Sequence, residues 1–205
     1  MKKTWFITGA SRGFGRIWAE AALKRGDQVT ATARKLADVA DLRERFGDAV
    51  LPLALDVTNS EQVRRVVQQA YEHFGSLDVL VNNAGTSLFA ATEEASDEQI
   101  RSLFDANYLG MVRVLRAALP LLRKQESGHI LGVSSGLGLR RFHSSASTVR
   151  RNGRWKLCTN HWRRRGRRSA SRSRWLSLEL TQPTSADPQR LRMLWNHTRS
   201  SGSSF

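Results

Sequence analysis

The sequence is poor in cysteine and tyrosine, and it contains no long hydrophobic run. Its single cysteine, Cys158, excludes an internal disulfide and is typical of a reducing compartment, so we expect a cytoplasmic protein. No apolar stretch approaches the roughly 20 residues that a membrane-spanning helix needs, and we expect no membrane partner. The start, MKKTWFITGA, leads straight into a glycine-rich turn, and we interpret it as a first strand rather than a signal peptide.

Acidic residues are almost missing from the last third of the chain. Residues 140–205 hold 16 Lys and Arg but only 2 Asp and Glu, whereas residues 1–139 hold 17 and 16. The formal net charge of +15 therefore belongs to the tail and not to the whole protein. We predict a folded domain over residues 1–139 and a basic, Arg-, Ser- and Trp-rich tail over residues 140–205. The tail lacks apolar periodicity, so we expect it to be irregular, disordered or poorly packed.

The first 133 residues alternate segments typical of strands with segments typical of helices. The predicted strands are TWFITGA (4–10), QVTATA (28–33), VLPLALDV (50–57), LDVLVNNAG (77–85) and HILGVSS (129–135). The predicted helices are residues 15–25, 37–47, 60–75 with Ser60 as N-cap, and about 97–124 with Pro120 near its end. This alternation predicts an α/β fold, a Rossmann-type doubly wound parallel sheet with helices on both faces, truncated after the fifth strand. Ligands of such sheets bind outside the carboxyl ends of the strands.

A glycine-rich segment, TGASRGFG, joins the first strand to the first helix. Glycines let the backbone turn tightly and allow a pyrophosphate to approach, and the helix N-terminus supplies free N–H groups. A glycine-rich turn without a ligand is the alternative, but the strand before it and the helix after it are the context that a nucleotide site requires. The predicted cofactor-binding residues of this turn are Gly9, Ser11, Arg12, Gly13, Phe14 and Gly15.

The end of the second strand carries a base where many dinucleotide sites carry an acid. An acid at this place binds the ribose 2′-hydroxyl of NAD, but this chain has Ala33 and then Arg34. With Arg12 in the first turn, two guanidinium groups are available for charge-assisted bonds to a 2′-phosphate. We therefore favour NADP(H) over NAD(H) as cofactor; the alternative is that Arg34 is only a solvated loop residue.

Several motifs in order resemble the short-chain dehydrogenases/reductases over about residues 4–139. TGASRGFG is followed by LDVTN after the third strand, NNAG after the fourth, Asn107 in the long helix and VSSG after the fifth strand. The resemblance implies that Asp56, with Val57 beside it, contacts the adenine. It also implies that the NNAG motif lines the cofactor site, through Asn82, Asn83, Ala84 and Gly85. Related enzymes often form homo-oligomers through the two long helices that flank this site.

The chemistry implied by the resemblance is hydride transfer between a nicotinamide and a small-molecule alcohol or carbonyl substrate. Ser135 matches the serine that holds the carbonyl oxygen, and Asn107 matches the asparagine that holds a water chain. The family's proton-transferring tyrosine is expected 13 residues after the serine, where this chain has Thr148. Its lysine, which lowers the pKa of the tyrosine, is expected four residues further on, at Asn152. Because the Tyr-x-x-x-Lys pair is missing, we expect little or no activity from this chain.

A single-base loss between Gly138 and Arg141, in the gene or in its sequencing, accounts for the change of composition. Read one base out of frame, Ser147 (TCT) and Thr148 (ACN) give TAC, a tyrosine codon, and Arg151 (CGA) and Asn152 (AAY) give AAA, a lysine codon. In the same frame, the segment from Ala146 to Trp162 permits GVYCATKWAVEALHESL, and the segment from Ser173 permits VTLVEPG. The recovered tyrosine lies 13 positions after Ser135 without a gap.

The alternative is a non-catalytic nucleotide-binding protein whose tail binds nucleic acid. Runs such as RRRGRR and SRSR, interleaved with Trp155, Trp162 and Trp175, suit phosphate contacts and base stacking. We favour the frame change because it explains the sharp boundary, the lost periodicity and the jump in charge together.

Overall fold

A computed structural model describes residues 2–135 and 172–178 of the chain. The strands are β1 (Thr4–Ile7), β2 (Gln28–Ala33), β3 (Val50–Ala54), β4 (Val79–Asn82), β5 (His129–Ser135) and β6 (Arg172–Leu178). The helices are α1 (Gly13–Lys24), α2 (Ala37–Phe46), α3 (Ser60–Phe74), α4 (Asp97–Phe104) and α5 (Gly110–Lys124). A 3₁₀ turn spans Gly47–Ala49, and a π-helical turn spans Asp105–Leu109 between α4 and α5.

The six strands form one parallel sheet in the order β3-β2-β1-β4-β5-β6. The chain starts in the middle of the sheet, moves outward to β3, and then returns to the other side of β1 to form β4. At this reversal, Phe6 of β1 pairs with Thr30 of β2 on one side and with Leu80 of β4 on the other. The reversal opens a crevice at the carboxyl ends of β1 and β4, where ligands of doubly wound sheets bind.

Alternating side chains of the sheet enter two separate hydrophobic cores. Phe6 and Leu80 pack with α3 and α5, whereas Ile7 and Val81 pack with α1 and α2. All four side chains are buried, which is the pattern expected of strands covered by helices on both faces. The predicted doubly wound α/β fold is confirmed.

The ends of the helices follow capping chemistry, with one correction to the predicted caps. The N-cap of α3 is Asn59 and not Ser60, because the Asn59 side chain accepts bonds from the backbone N–H groups of Glu61 and Gln62. Gly75 ends the same helix at φ 75°, a left-handed conformation that favours glycine. Ser96 begins α4 with a capping box to Gln99.

The long helix predicted over residues 97–124 is divided by the π-helical turn into α4 and α5. The turn inserts one extra residue and contains Asn107. Apolar periodicity does not reveal it, because residues before and after the turn still face the core: Leu103 and Val114 are both buried. Turns of this kind are frequent at functional sites.

A sixth strand extends the sheet beyond the predicted five. Residues 172–178 pair in parallel with β5, from His129 with Arg172 to Ser135 with Leu178. The prediction of an irregular tail is therefore wrong for these seven residues, which satisfy backbone groups that an edge strand would leave unpaired. The rest of the predicted tail lies outside the described residues. Within the described part of the chain, no helix is long and apolar enough to cross a membrane.

Candidate nucleotide-binding and active site

The glycine-rich turn after β1 is closely packed on one side and open on the other. A Cβ on Gly15 would lie 2.3 Å from the carbonyl oxygen of Gly9, so no larger residue fits there without movement. Gly13 has φ 60°, and a Cβ built on it would meet nothing within 4 Å. The open side lies directly before the N-terminus of α1, where free N–H groups favour an anion. The turn therefore fits the pyrophosphate of a dinucleotide.

Hydrogen bonds join the ends of β1 and β4 beneath this turn. The Asn83 amide donates to the carbonyl oxygens of Thr8 (3.0 Å) and Gly9 (2.9 Å). The Thr8 hydroxyl accepts from the backbone N–H groups of Asn83 and Ala84, both at 2.9 Å, and donates to the carbonyl of Val81 at 3.3 Å. These bonds hold the NNAG segment and the phosphate turn in one fixed arrangement. Sequence reasoning did not single out Thr8, although it lies within the quoted motif.

Two exposed arginines near the carboxyl ends of β1 and β2 have no described acidic partner. Arg12 is the extended N-cap residue of α1, and its side chain makes no capping hydrogen bond. Arg34 directly follows β2, whose last residue, Ala33, is buried. Both arginines are exposed, and neither pairs with an acid among residues 2–135. Their guanidinium groups are thus available to an anionic ligand.

A separate ion-pair network fixes α1 against α2 behind the turn. Arg16 of α1 donates to Asp41 of α2 and to Glu20, and Arg45 of α2 also donates to Glu20 at 2.8 Å. Hydrogen bonds from Arg45 and Arg16 lower the pKa of Glu20 from its usual 4.5 to about 2. The hydrogen bond from Arg16 likewise lowers the pKa of Asp41. This network holds the helix that begins at the phosphate turn in place beside the helix that follows Arg34.

The loop after β3 presents Asp56 and Val57 at the same edge of the sheet. One Asp56 oxygen accepts from the backbone N–H (2.9 Å) and the hydroxyl (2.7 Å) of Thr58, and its second oxygen has no partner among the described residues. Val57 packs against Gly110, where an added Cβ would lie 2.7 Å from Val57 Cγ2. The carboxylate is therefore held in one orientation with one oxygen left to accept a donor such as an adenine amino group.

Asn107 is bound to the segment that follows the NNAG motif. Its Oδ1 accepts from the Thr86 N–H, and its Nδ2 donates to the Thr86 carbonyl, both at 2.7 Å. Gly85 makes this approach possible, since a Cβ there would lie 2.7 Å from Asn107 Oδ1. The side chain of Asn107 thus fixes the position of the π-helical turn relative to Gly85 and Thr86.

The fifth strand brings Ser135 to the same edge as the other predicted residues. β5 lies beside β4, where Gly132 pairs with Asn82, and the Ser135 backbone ends the strand. Asn82 is 5% exposed. Its Nδ2 has no hydrogen-bond partner among the described residues, and neither has the Oγ of Ser134. Thr148 and Asn152 lie outside the described residues. The predicted residues thus lie at or just after the carboxyl ends of the first five parallel strands: Gly9, Arg34, Asp56, Asn83 and Ser135.

Comparison with known proteins identifies the family to which this chain belongs. Residues 3–147 match the family model for short chain dehydrogenase. The chain belongs to the short-chain dehydrogenase/reductase family. Oxidoreductase BOA17 of Botryotinia fuckeliana (strain B05.10) is 49% identical over 136 residues, which are 66% of this chain and 50% of that protein. The chain thus spans about half the length of the curated relatives it matches.

Solved structures of short-chain dehydrogenases/reductases show the same fold. A family member from Burkholderia phymatum, in complex with NAD, superimposes with a TM-score of 0.82 at 25% identity, covering 87% of this chain and 66% of that one. ElxO with NADP bound gives a TM-score of 0.78 at 27% identity, covering 88% and 74%. Members similar to this chain therefore bind either NAD or NADP.

Proposed function

We propose that this chain carries the cofactor site of an NADP(H)-dependent oxidoreductase acting on a small-molecule alcohol or carbonyl. The observation that carries the proposal is the open phosphate turn at Gly13, together with Arg12 and Arg34, which have no ion-pair partner among the described residues. Gly9, Ser11, Phe14 and Gly15 would complete the turn around the pyrophosphate. Asp56, Val57 and the segment Asn83–Gly85 would border the adenosine and nicotinamide ends. The single cysteine supports a cytoplasmic location.

The preference for NADP(H) rests on charge. A 2′-phosphate carries negative charge and oxygen acceptors, and planar guanidinium groups bind such oxygens in pairs. Neither Arg34 nor Arg12 has a described acid that would compete for it. No acid follows β2 at the place where a ribose 2′-hydroxyl would be bound.

Fluorescence titration of the whole chain with NADPH, and in parallel with NADH, tests this proposal. Binding transfers the dihydronicotinamide from water to protein, and the change in its emission reports occupancy. We expect NADPH to bind at least about tenfold more tightly than NADH, since a hydrogen-bonded charge pair contributes about 1.5–3 kcal/mol. Equal affinities would contradict the preference for NADP(H), and the absence of any binding would contradict the cofactor site.

The chemistry proposed for the intact enzyme divides between the cofactor and the chain. The nicotinamide, when bound, supplies or accepts the hydride. Ser135 would hold the substrate oxygen by a hydrogen bond from its hydroxyl, and Asn107 would fix the turn that borders the site. A proton must also reach or leave that oxygen, and the chain has Thr148 and Asn152 where the family places its tyrosine and lysine. A threonine hydroxyl is far too weak an acid for this role near neutral pH, so we propose that the chain as written has little or no turnover.

A single-base frame change near residues 138–141 is our explanation for the missing pair. The family match ends at residue 147, close to the boundary where the charge changes. β6 spans Arg172–Leu178, the same stretch in which the shifted frame permits VTLVEPG from Ser173. Sequencing the DNA across codons 136–160 tests the explanation directly. If no single-base change restores an open frame with Tyr-x-x-x-Lys, the explanation is wrong.

A further inference from the structure

Arg113 of α5 is not part of any sequence motif or of the proposed cofactor contacts, but it lies between the loop after β3 and the π-helical turn. Its side chain is 21% exposed, and its Nη2 lies 2.6 Å from Asp105 Oδ1. Its Nη1 donates to the carbonyl of Asp105 at 3.3 Å, and its Nε donates to Ser60 Oγ at 3.1 Å. A longer contact of 3.5 Å reaches the carbonyl of Val57. One guanidinium group thus contacts three segments of the chain.

Two of these segments border opposite ends of the proposed site. Val57 belongs to the loop that presents Asp56, and Asp105 begins the π-helical turn that contains Asn107. A direct packing contact accompanies the polar ones, because Val57 lies against Gly110 at the end of the same turn. Asn107 in turn binds both backbone groups of Thr86. A continuous set of contacts therefore runs from Asp56 to the segment after the NNAG motif.

Arg113 also binds the backbone group that closes the π-helical turn. The Asp105 carbonyl accepts the wide backbone bond from Gly110, and Arg113 binds that same carbonyl together with the Asp105 side chain. An ordinary α-helix would place one residue fewer between α4 and α5 and would rotate Asn107 away from Thr86. Contacts of Arg113 with the backbone carbonyl and the carboxylate of Asp105 are compatible with the wider turn.

We propose that Arg113 is a positioning residue that couples the Asp56–Val57 loop to the turn carrying Asn107. The proposal rests on the proposed function, because it takes that loop to be part of the adenosine site. The planar guanidinium group suits the role, since its separate N–H groups reach Asp105, Val57 and Ser60 at once. A lysine at this position would place a single ammonium group near only one or two of these acceptors.

The test compares Arg113→Met and Arg113→Lys with Arg116→Met in the full chain. Arg116 lies one turn further along α5, is exposed, and forms no ion pair with a described acid, so it is a matched control. The Asn107 side-chain amide signal in ¹⁵N NMR, identified by its loss in Asn107→Asp, reports the position of the turn. NADPH titration reports the site, and both are measured at a temperature at which circular dichroism shows each variant folded.

Arg113→Met is expected to shift or broaden the Asn107 amide signal and to weaken NADPH binding by about 5- to 10-fold, the size of one lost ordinary hydrogen bond. Arg113→Lys should recover part of both effects, and Arg116→Met should show neither. If Arg113→Met only lowers the melting temperature, with the Asn107 signal and the NADPH affinity as in Arg116→Met, Arg113 is a structural residue and the proposal is wrong.

The test remains decisive if the unmodified chain does not bind NADPH or if Arg113→Met does not fold. If the unmodified chain does not bind NADPH, the proposed function fails, while the Asn107 signal still decides whether Arg113 positions the turn. If Arg113→Met does not fold, Asp105→Asn replaces it, because this variant keeps the shape of the side chain and removes only the charge. Asp105→Asn should shift or broaden the Asn107 amide signal, and an unchanged signal would overturn the proposal.

Discussion

At the scale of single residues, the candidate site includes exposed side chains that have no ion-pair partner among the described residues. Arg34 is exposed and has no described acid beside it, whereas Arg16 and Arg45 are engaged with Glu20 and Asp41. The difference separates arginines that hold helices together from arginines that remain available to a ligand. Its exposure also means that removing Arg34 should leave the fold intact.

Replacing Arg34 with alanine should weaken NADPH binding about tenfold and leave NADH binding unchanged, because only NADPH presents a 2′-phosphate. Lys35→Ala is the matched control, since Lys35 is the adjacent exposed base. Parallel fluorescence titrations measure both variants. Equal losses for NADPH and NADH, or equal losses in the two variants, would show that Arg34 acts only through general positive charge.

Gly15→Ala should destabilise the domain by about 1–3 kcal/mol, the range observed when a methyl group is forced into a packed site. The new Cβ would lie 2.3 Å from the Gly9 carbonyl oxygen and 2.5 Å from Asn83 Nδ2, so the turn must move. Gly13→Ala is the comparison, since its Cβ would meet nothing and its cost would come only from φ 60°. Urea denaturation measures the free energy of unfolding; an unchanged value for Gly15→Ala would show that the turn is not tightly packed.

At the scale of secondary-structure elements, sequence and structure agree where local signals are strong. Apolar runs and flanking glycines predicted the first five strands and the helices between them, and all are present. The π-helical turn was not predicted, because the apolar residues on either side of it still face the core and its packing against Val57 comes from a distant part of the chain. β6 was not predicted, because residues 172–178 carry no strand-like apolar alternation and form a strand by pairing with β5.

The pairing of α1 with α2 predicts a dependence of stability on pH. The folded-state pKa of Glu20 is about 2, below its usual 4.5, so the stability from its charge is complete above about pH 5 and is lost as the pH falls toward 2. Glu20→Gln should lower the free energy of unfolding by about 1 kcal/mol at pH 7, allowing for solvent screening, and by almost nothing at pH 2.

Urea denaturation at pH 7, 5 and 3 measures this effect. Glu44→Gln is the control, because Glu44 is an exposed carboxylate of α2 without a described ion pair. A Glu20→Gln difference that stays constant from pH 7 to pH 3 would show that the network contributes through packing and not through the charge of Glu20.

At the scale of the whole molecule, the first two thirds of the chain and the last third differ in composition. The first part contains both hydrophobic cores and the carboxyl ends of five strands, formed by contacts within residues 2–135. The positions at which the family's acid–base pair is expected, Thr148 and Asn152, belong to the last third. The proposed cofactor binding and the proposed loss of turnover therefore depend on different parts of the chain and can be tested separately.

Restoring the reading frame after residue 138 should therefore raise turnover with NADPH by at least about 100-fold, the lower range for general acid–base catalysis. NADPH affinity should change much less, because the phosphate turn and both arginines are already present. Absorbance at 340 nm with a panel of carbonyl compounds measures the rate. Comparable rates from the chain as written and from the restored chain would contradict the proposal that the missing pair limits turnover.

The hydroxyl of Thr8 has a consequence for the entropy of binding. With its three hydrogen bonds, it joins Val81, Asn83 and Ala84 to the end of β1 before any ligand arrives. These backbone segments are thus ordered when the sheet forms, and little of their conformational freedom would be left to lose on binding a dinucleotide. The affinity of the proposed cofactor site would therefore depend on the charges around it and not on rearrangement of the turn.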